Sequence, residues 1–316
     1  MTAGKLFLPS GLLLQLEQLT LVAKRRIRGT MQGKRRSKQL GSSLEFADYR
    51  EYAPGDDIRR FDWSVYGRTG KPFIKQYMDE QELQVHLFID ASRSMNFGED
   101  SSGLLVEGGK LANKLEYAKQ LAASIGYIAL AAYDRVDAAS FTDQIDNHTP
   151  LMRGRGSAER LFHFIQKIEG QPLNKGGINA DNLYFARPFM NPYALSRQQG
   201  MTWVFSDFLA EQGVEEALSY LLSAKQEVVV VQVLHPQELE PKLVGDLRLI
   251  DSEHSGGKDV AISNRVLRDY QEVIAEYTDG LKQYCHERGL TYIRARTDIP
   301  LHDMVLQVMR YTGLVQ

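Results

Sequence analysis

The run EVVVVQVL, residues 227–234, constrains the fold more than any other part of the chain. It is almost unbroken in apolar and β-branched residues, which suits a strand buried on both faces. Such strands belong to parallel sheets, and parallel neighbours need long crossovers, usually helices. The chain supplies both in alternation from about residue 82 onward. LQVHLFID is strand-like and is followed by a helical pattern over 115–133. RVDAASF reads as a strand, then a helix over 158–168, a helix over 182–190 and the strand MTWVFSD. A helix over 214–224 precedes EVVVVQVLH. DLRLIDSE and KDVAISN read as a hairpin around Ser-Gly-Gly. A long helix over 265–287, the strand LTYIRA and a last helix over 301–311 complete the series. The fold class expected is α/β, a doubly wound, mostly parallel, Rossmann-like sheet.

Residues 1–81 read differently and are expected to form an extension to the domain at 82–316. Pro9 and Ser10 precede LLLQLEQLTLVA, whose spacing suits a helix opening at a serine cap. From Lys24 to Lys38 there are eight Lys or Arg and no acid. Residues 44–84 mix aromatic and β-branched residues with turn signals such as PGDD and RTGK, as short strands and loops do.

In a doubly wound sheet, ligands sit beyond the carboxyl ends of the strands, where the strand order reverses. Two predicted strands end in aspartate, LQVHLFI at Asp90 and MTWVFS at Asp207. Two carboxylates about 5 Å apart repel by roughly 3 kcal/mol at an effective dielectric of about 20. Either one takes up a proton or a cation sits between them. Ser92 and Ser94 follow Asp90 on alternate positions and add hard oxygens, the ligand type that Mg²⁺ and Ca²⁺ take. The alternative use of such residues is to cap the next helix.

DASRS resembles the Asp-x-Ser-x-Ser motif of von Willebrand factor A-like domains, with Asp207 in FSDF matching the later aspartate. The resemblance implies a metal-ion-dependent adhesion site holding Mg²⁺, with Mn²⁺ or Ca²⁺ as alternatives, completed by a partner's carboxylate. That family's threonine, in Gly-x-Thr-x-Leu, is replaced in NKGGINADNL by Ile178, which cannot ligate a metal. The earlier stretch RGTMQGKRRSKQLGSSLEFADYREYAPGDDIRRFDWSVYGRTGKPFIKQYMDE is similar to the signature of the bacterial domain of unknown function number 58. Glu45, Phe46, Asp48, Arg50, Tyr52, Pro54, Gly55, Asp56, Asp57, Arg59, Asp62, Trp63, Arg68 and Thr69 carry the match. The resemblance implies a von Willebrand factor A-like domain directly afterwards and a MoxR-type AAA+ ATPase as partner in chaperone-like assembly of an unknown client.

The function expected is thus a non-enzymatic interaction module with metal ligands Asp90, Ser92, Ser94 and Asp207. A structural scaffold with a vestigial metal site and a metal-dependent phosphoester hydrolase are the alternatives. Within PGDDIRRFDWSVYGRTGK, Asp56, Asp57 and Asp62 alternate with Arg59, Arg60 and Arg68 and are read as a paired network. Arg59, Asp62, Trp63 and Arg68 are the candidate partner-docking residues, since Arg and Trp are favoured at interfaces.

Lys+Arg of 38 against Asp+Glu of 40 gives no overall pull toward nucleic acid or membrane. The run from Lys24 to Lys38 lacks aromatics for base stacking, so nucleic acid is not expected there, while peripheral membrane contact stays open. No apolar run reaches the roughly 20 residues of a membrane span, and a cytoplasmic location is expected. Cys285 excludes an intramolecular disulfide, and its neighbour His286 diverges from it on a helix. GLLVEGGKL, residues 103–111, fails the spacing of a phosphate-binding loop. RGRGS, residues 153–157, reads as a loop before a helix.

Overall fold

A computed structural model describes residues 8–23, 46–77, 83–98, 113–171, 184–190, 199–241, 245–250 and 257–316. The chain forms two units, one of Met1–Arg26 with Leu83–Gln316 and one of Ile27–Glu82. The N-terminal helix, expected to group with the extension, belongs to the larger unit. It is α1 (Ser10–Leu16), which buries Leu12 and Leu16. Behind it Leu21 bridges Val315, Thr20 and Gln316 exchange backbone hydrogen bonds, and Glu17 accepts from the Tyr127 hydroxyl at 2.6 Å. Ser10 is not a cap. It is the first helical residue, and the Pro9 carbonyl takes the Leu13 N–H instead.

In the smaller unit β1 (Phe46–Glu51) pairs antiparallel with β2 (Phe73–Tyr77). Between them lies a helix that sequence reasoning read as loop, α2 (Trp63–Thr69). Asp62 caps it by accepting from Ser64 N and Val65 N, and Gly70 closes it in the left-handed conformation at φ 67°.

The larger unit is built on a seven-stranded sheet. Its strands are β3 (Gln84–Asp90), β4 (Arg135–Phe141), β5 (Ile145–His148), β6 (Met152–Arg153), β7 (Met201–Ser206), β8 (Glu227–Leu234) and, near the end of the chain, β11 (Thr291–Arg296). The order is β11-β8-β7-β3-β4-β5, with β6 on β4. β11, β8, β7, β3 and β4 run parallel, and β5 and β6 are antiparallel to β4. The mostly parallel α/β sheet expected from EVVVVQVL is therefore present, and all eight residues of β8 are buried. β9 (Gly245–Ile250) and β10 (Gly257–Ile262) form the expected hairpin as a separate two-stranded sheet.

Helices α3 (Lys114–Ala131), α4 (Ala158–Gln166), α5 (Val214–Ser223), α6 (Pro236–Leu239) and α7 (Asn264–Glu287) provide the crossovers. α8 (Leu301–Asp303) and α9 (Met309–Tyr311) flank a π-helical stretch, Met304–Val308. α3 buries residues on every side, so it acts as a core element. Phe88, Phe141, Val204, Phe208, Val228 and Val230 form a core cluster with Leu218 of α5 and Leu281 of α7. Gly200 lets β7 approach β3, because a Cβ there would lie 2.5 Å from the Gln84 carbonyl oxygen. Residues 185–190 form successive turns, where a helix over 182–190 was expected, and residues 182–183 lie outside the described residues. Pro188 explains this, since it has no N–H to continue a helix.

Cys285 is buried, with its thiol pushed up to about 12 by burial, and His286 is exposed. Among the described residues, no helix is long and apolar enough to cross a membrane. Ile178, residues 103–111 and the run from Lys24 to Lys38 lie outside the described residues.

Candidate functional site

The strand order reverses between β3 and β7, which lie side by side at the centre of the sheet. The chain leaves β3 toward β4 on one flank and later builds β8 and β11 on the other. Asp90 ends β3 and Asp207 directly follows β7, so the topology places both at the switch point.

Asp90 is buried. Its Oδ1 accepts from Ser92 N at 2.8 Å and its Oδ2 from Ser206 Oγ at 2.5 Å. Ser206 Oγ in turn accepts from Phe208 N at 3.0 Å. Ser92 Oγ and Ser94 Oγ lie 3.2 Å apart in the turn after β3. Burial first, and then the Asp207 charge, raise the Asp90 carboxyl to about 7. Three hydroxyls and one hard-to-ionise carboxyl thus meet at this strand end.

Asp207 has a different partner. Its Oδ2 accepts from Lys114 Nζ at 2.8 Å, and its Oδ1 accepts from Leu209 N at 3.1 Å. Lys114 Nζ also reaches Glu238 Oε1 at 2.5 Å. Lys114 is the first residue of α3 and is 0% exposed. Asn113 starts that helix by accepting from Leu115 N, and the Lys114 N–H donates to the Phe97 carbonyl. Glu238 is fixed from the other side, its Oε2 accepting from His235 N at 2.9 Å in the capping box of α6. Burial works to lower the Lys114 ammonium, but Asp207 and Glu238 outweigh it and the net shift is upward. Burial raises Glu238, with Lys114 opposing. The Phe97 ring packs against His235, 5.2 Å between centroids, and lies 5.9 Å from Lys114 Nζ.

All four residues expected to bind metal stand at the strand ends, and there Asp207 accepts from the ammonium of Lys114. Sequence reasoning placed a metal ion or a proton between the carboxylates and did not identify Lys114 as a counter-ion. Lys114 and Glu238 are 93 and 124 residues from their partners in the chain. The one signal for Lys114 was its place at the start of a largely apolar helix, where a buried lysine needs an acid. The donor set on the Asp90 side, one carboxylate and two hydroxyls, fits a small hard cation. An ion shared with Asp207 does not fit, because Lys114 holds that carboxylate. Among the described residues, no group of three or more His, Cys, Asp or Glu could hold a metal.

The candidate docking residues separate. Asp62 is a brace. Its Oδ2 accepts from Tyr49 Oη at 2.9 Å and pairs with Lys75 at 3.1 Å, so it ties β1, β2 and α2 together. Hydrogen bonds from Lys75 and Tyr49 hold its carboxyl at about 2. Asp56 pairs with Arg50 at 2.7 Å, and Asp57 accepts the Arg59 N–H. Among the described side chains the acids thus use Arg50, Lys75 and backbone where Arg59 and Arg68 were expected, and the Arg60 side chain lies outside the described residues. Trp63 is 67% exposed, with Phe61 and Tyr66 against its ring, and Arg59 and Arg68 are exposed.

The family described as "Protein of unknown function DUF58" matches residues 48–279. Uncharacterized proteins of Mycobacterium bovis and Mycobacterium tuberculosis are 26% identical over 298 residues, 94% of this chain and 88% of theirs. An uncharacterized protein of Mycobacterium avium is 24% identical over 162 residues, 51% of this chain and 90% of its own. Among solved structures, the conserved hypothetical protein BatB from Bacteroides thetaiotaomicron aligns at 14% identity and a TM-score of 0.38, over 73% of this chain and 98% of that one.

Proposed function

We propose, for a chain that belongs to the DUF58 family, a non-enzymatic protein-interaction module whose larger unit is a von Willebrand factor A-like domain. The observation that carries the reading is the placement of Asp90, Ser92 and Ser94 together at the switch point of the sheet. These three would hold a divalent cation, Mg²⁺ first, and that ion would supply an open coordination position for a partner's carboxylate. The residues around them do the rest. Ser206 orients the Asp90 carboxylate, while Lys114 neutralises Asp207 and fixes the loop after β7. The partner implied by the sequence resemblance is a MoxR-type AAA+ ATPase acting with a client protein. Trp63, Arg59 and Arg68 offer that partner a second contact on the smaller unit.

Magnesium titration by calorimetry on the wild type and Asp90→Ala tests the ion. Saturable heat in the wild type alone is expected, and equal or absent heats would remove the metal half of the reading.

One observation favours a second version of the module, a docking scaffold that uses no cation. Lys114 already supplies a positive charge at Asp207. A pull-down on the full chain separates the two. Partners lost in EDTA support the cation-dependent module, and partners retained in full support the scaffold.

A further inference from the structure

The outer face of α7 carries an apolar stripe that the site above does not use. Val266, Tyr270, Val273 and Tyr277 recur at helical spacing, and all are exposed, Val273 to 64%. They extend over about 16 Å of helix. Tyr270, Val273 and Tyr277 meet Leu209 and Glu211, from the loop after β7, in a groove of about 240 Å³. Exposed apolar side chains scattered singly need no explanation, but a continuous stripe beside a concavity marks a contact surface.

Charge says what kind of partner fits. The segment at 208–223 contains Glu211, Glu215 and Glu216 and no Lys or Arg, and Glu211 lines the groove itself. Along α7, helical spacing places Glu276 on the flank of the stripe, beside Asp269, which pairs with Arg265 at 4.0 Å. Two copies of this face would oppose acid to acid, so an isologous dimer is disfavoured. A straight apolar stripe of three turns with an acidic border matches an amphipathic helix whose polar flanks are basic.

We infer that this groove docks a basic amphipathic helix of a partner protein. The inference stands whether or not a cation binds at Asp90. The groove is also tied to the charged cluster. The Tyr277 hydroxyl donates to the Phe208 carbonyl, and the Tyr270 hydroxyl donates to the Glu238 carbonyl at 2.9 Å. Phe208 follows Asp207 directly and is held at φ 55°, a left-handed conformation that phenylalanine rarely adopts. An occupant resting on the two tyrosines therefore bears on both loops that hold Lys114.

The probe is a fluorescein-labelled synthetic peptide of leucine and lysine patterned as an amphipathic helix, with a leucine–glutamate peptide of the same apolar face as control. Fluorescence anisotropy with the full chain should show saturable binding of the lysine peptide alone. Val273→Asp removes apolar contact while adding negative charge, and should weaken binding at least about tenfold. Glu211→Gln should weaken it less and flatten its salt dependence. Both positions are exposed, and circular dichroism verifies that the variants fold. Equal binding of the glutamate peptide, or unchanged or tighter binding by Val273→Asp, would overturn the inference. So would a sedimenting dimer of the wild type that Val273→Asp abolishes, which would assign the face to a second copy.

Discussion

Asp62 in the smaller unit and Asp90 in the larger are almost equally hidden, at 5% and 4% exposure, yet their chemistry is opposite. Asp62 accepts from two backbone N–H groups, a tyrosine hydroxyl and an ammonium, and its carboxyl is held at about 2. Asp90 has the Ser92 N–H and the hydroxyls of Ser206 and Ser92 as partners but no cation, faces another aspartate and is raised to about 7. Depth contributes as well as partners. Asp90 ends a central strand of a seven-stranded sheet, where burial is the first cause of its rise, whereas hydrogen bonds are the first causes at Asp62. A buried acid given a cation of its own is a brace, and one left with hydroxyls is poised to take a proton or a metal.

Lys114 is the element of the larger unit that follows the Asp62 pattern, so removing it should break the contrast most severely. Lys114→Met leaves Asp207 and Glu238 buried without their counter-ion, at a cost of about 3 to 5 kcal/mol in chemical denaturation. Adding Asp207→Asn and Glu238→Gln to the same chain should recover much of that loss, because the uncompensated charges are gone. A sharper outcome concerns the metal. With the ammonium absent, Asp207 joins Asp90 as a cation ligand, and magnesium should raise the melting temperature of Lys114→Met more than that of the wild type. An equal rise in both would mean that Lys114 does not stand in for a cation.

The next test separates the two acids by pH. Between about pH 4 and about 7 the folded chain holds a proton on Asp90 that the unfolded chain has released. The folded state then binds more protons, so stability falls as pH rises through that window and levels off above it. The expected decline is on the order of a few kcal/mol, measured by denaturation in EDTA, and Asp90→Asn should reduce it, leaving the part that the raised Glu238 carboxyl contributes. A wild-type curve that is flat, or that rises with pH, would place a cation partner beside Asp90 and erase the comparison.

The sheet was legible because burial on both faces writes itself into a strand as an unbroken apolar run, as in β8. Asp90 and Asp207 were legible because strand ends at a topological switch are where ligands collect. Lys114 was not, since its reason for being buried lies in two acids far along the chain. The α2 helix was hidden in a stretch rich in aromatic and β-branched residues, and its start depends on Asp62 acting as a cap. The partners of Asp62 were hidden for the same reason. An acid beside arginines in sequence looks paired to them, and only the fold reveals that Lys75 and Tyr49 bond it. Pro188 did mark its break in the sequence, and the helix over 182–190 overlooked it.

The smallest expected effect concerns Asp62, and its sign is the reverse of Asp90's. With its carboxyl lowered to about 2, Asp62 lends stability that is present above its unfolded value of about 4 and is lost as pH falls toward 2. Asp62→Ala should remove the cap of α2 and the anchor for Lys75 and Tyr49 together. Amide exchange should quicken at Ser64 and Val65, whose N–H groups bond Asp62. Asp62→Asn keeps an acceptor oxygen for the cap and loses the charge, so it should protect Ser64 and Val65 while abolishing the acid-side dependence. Exchange in β3 and β7 should be unaltered in both variants, because Tyr49, Ser64, Val65 and Lys75, which bond the Asp62 carboxylate, all belong to the smaller unit. Loss of protection in those strands would show that the brace and the candidate site are one cooperative structure, and the contrast between the two acids would then describe a single network.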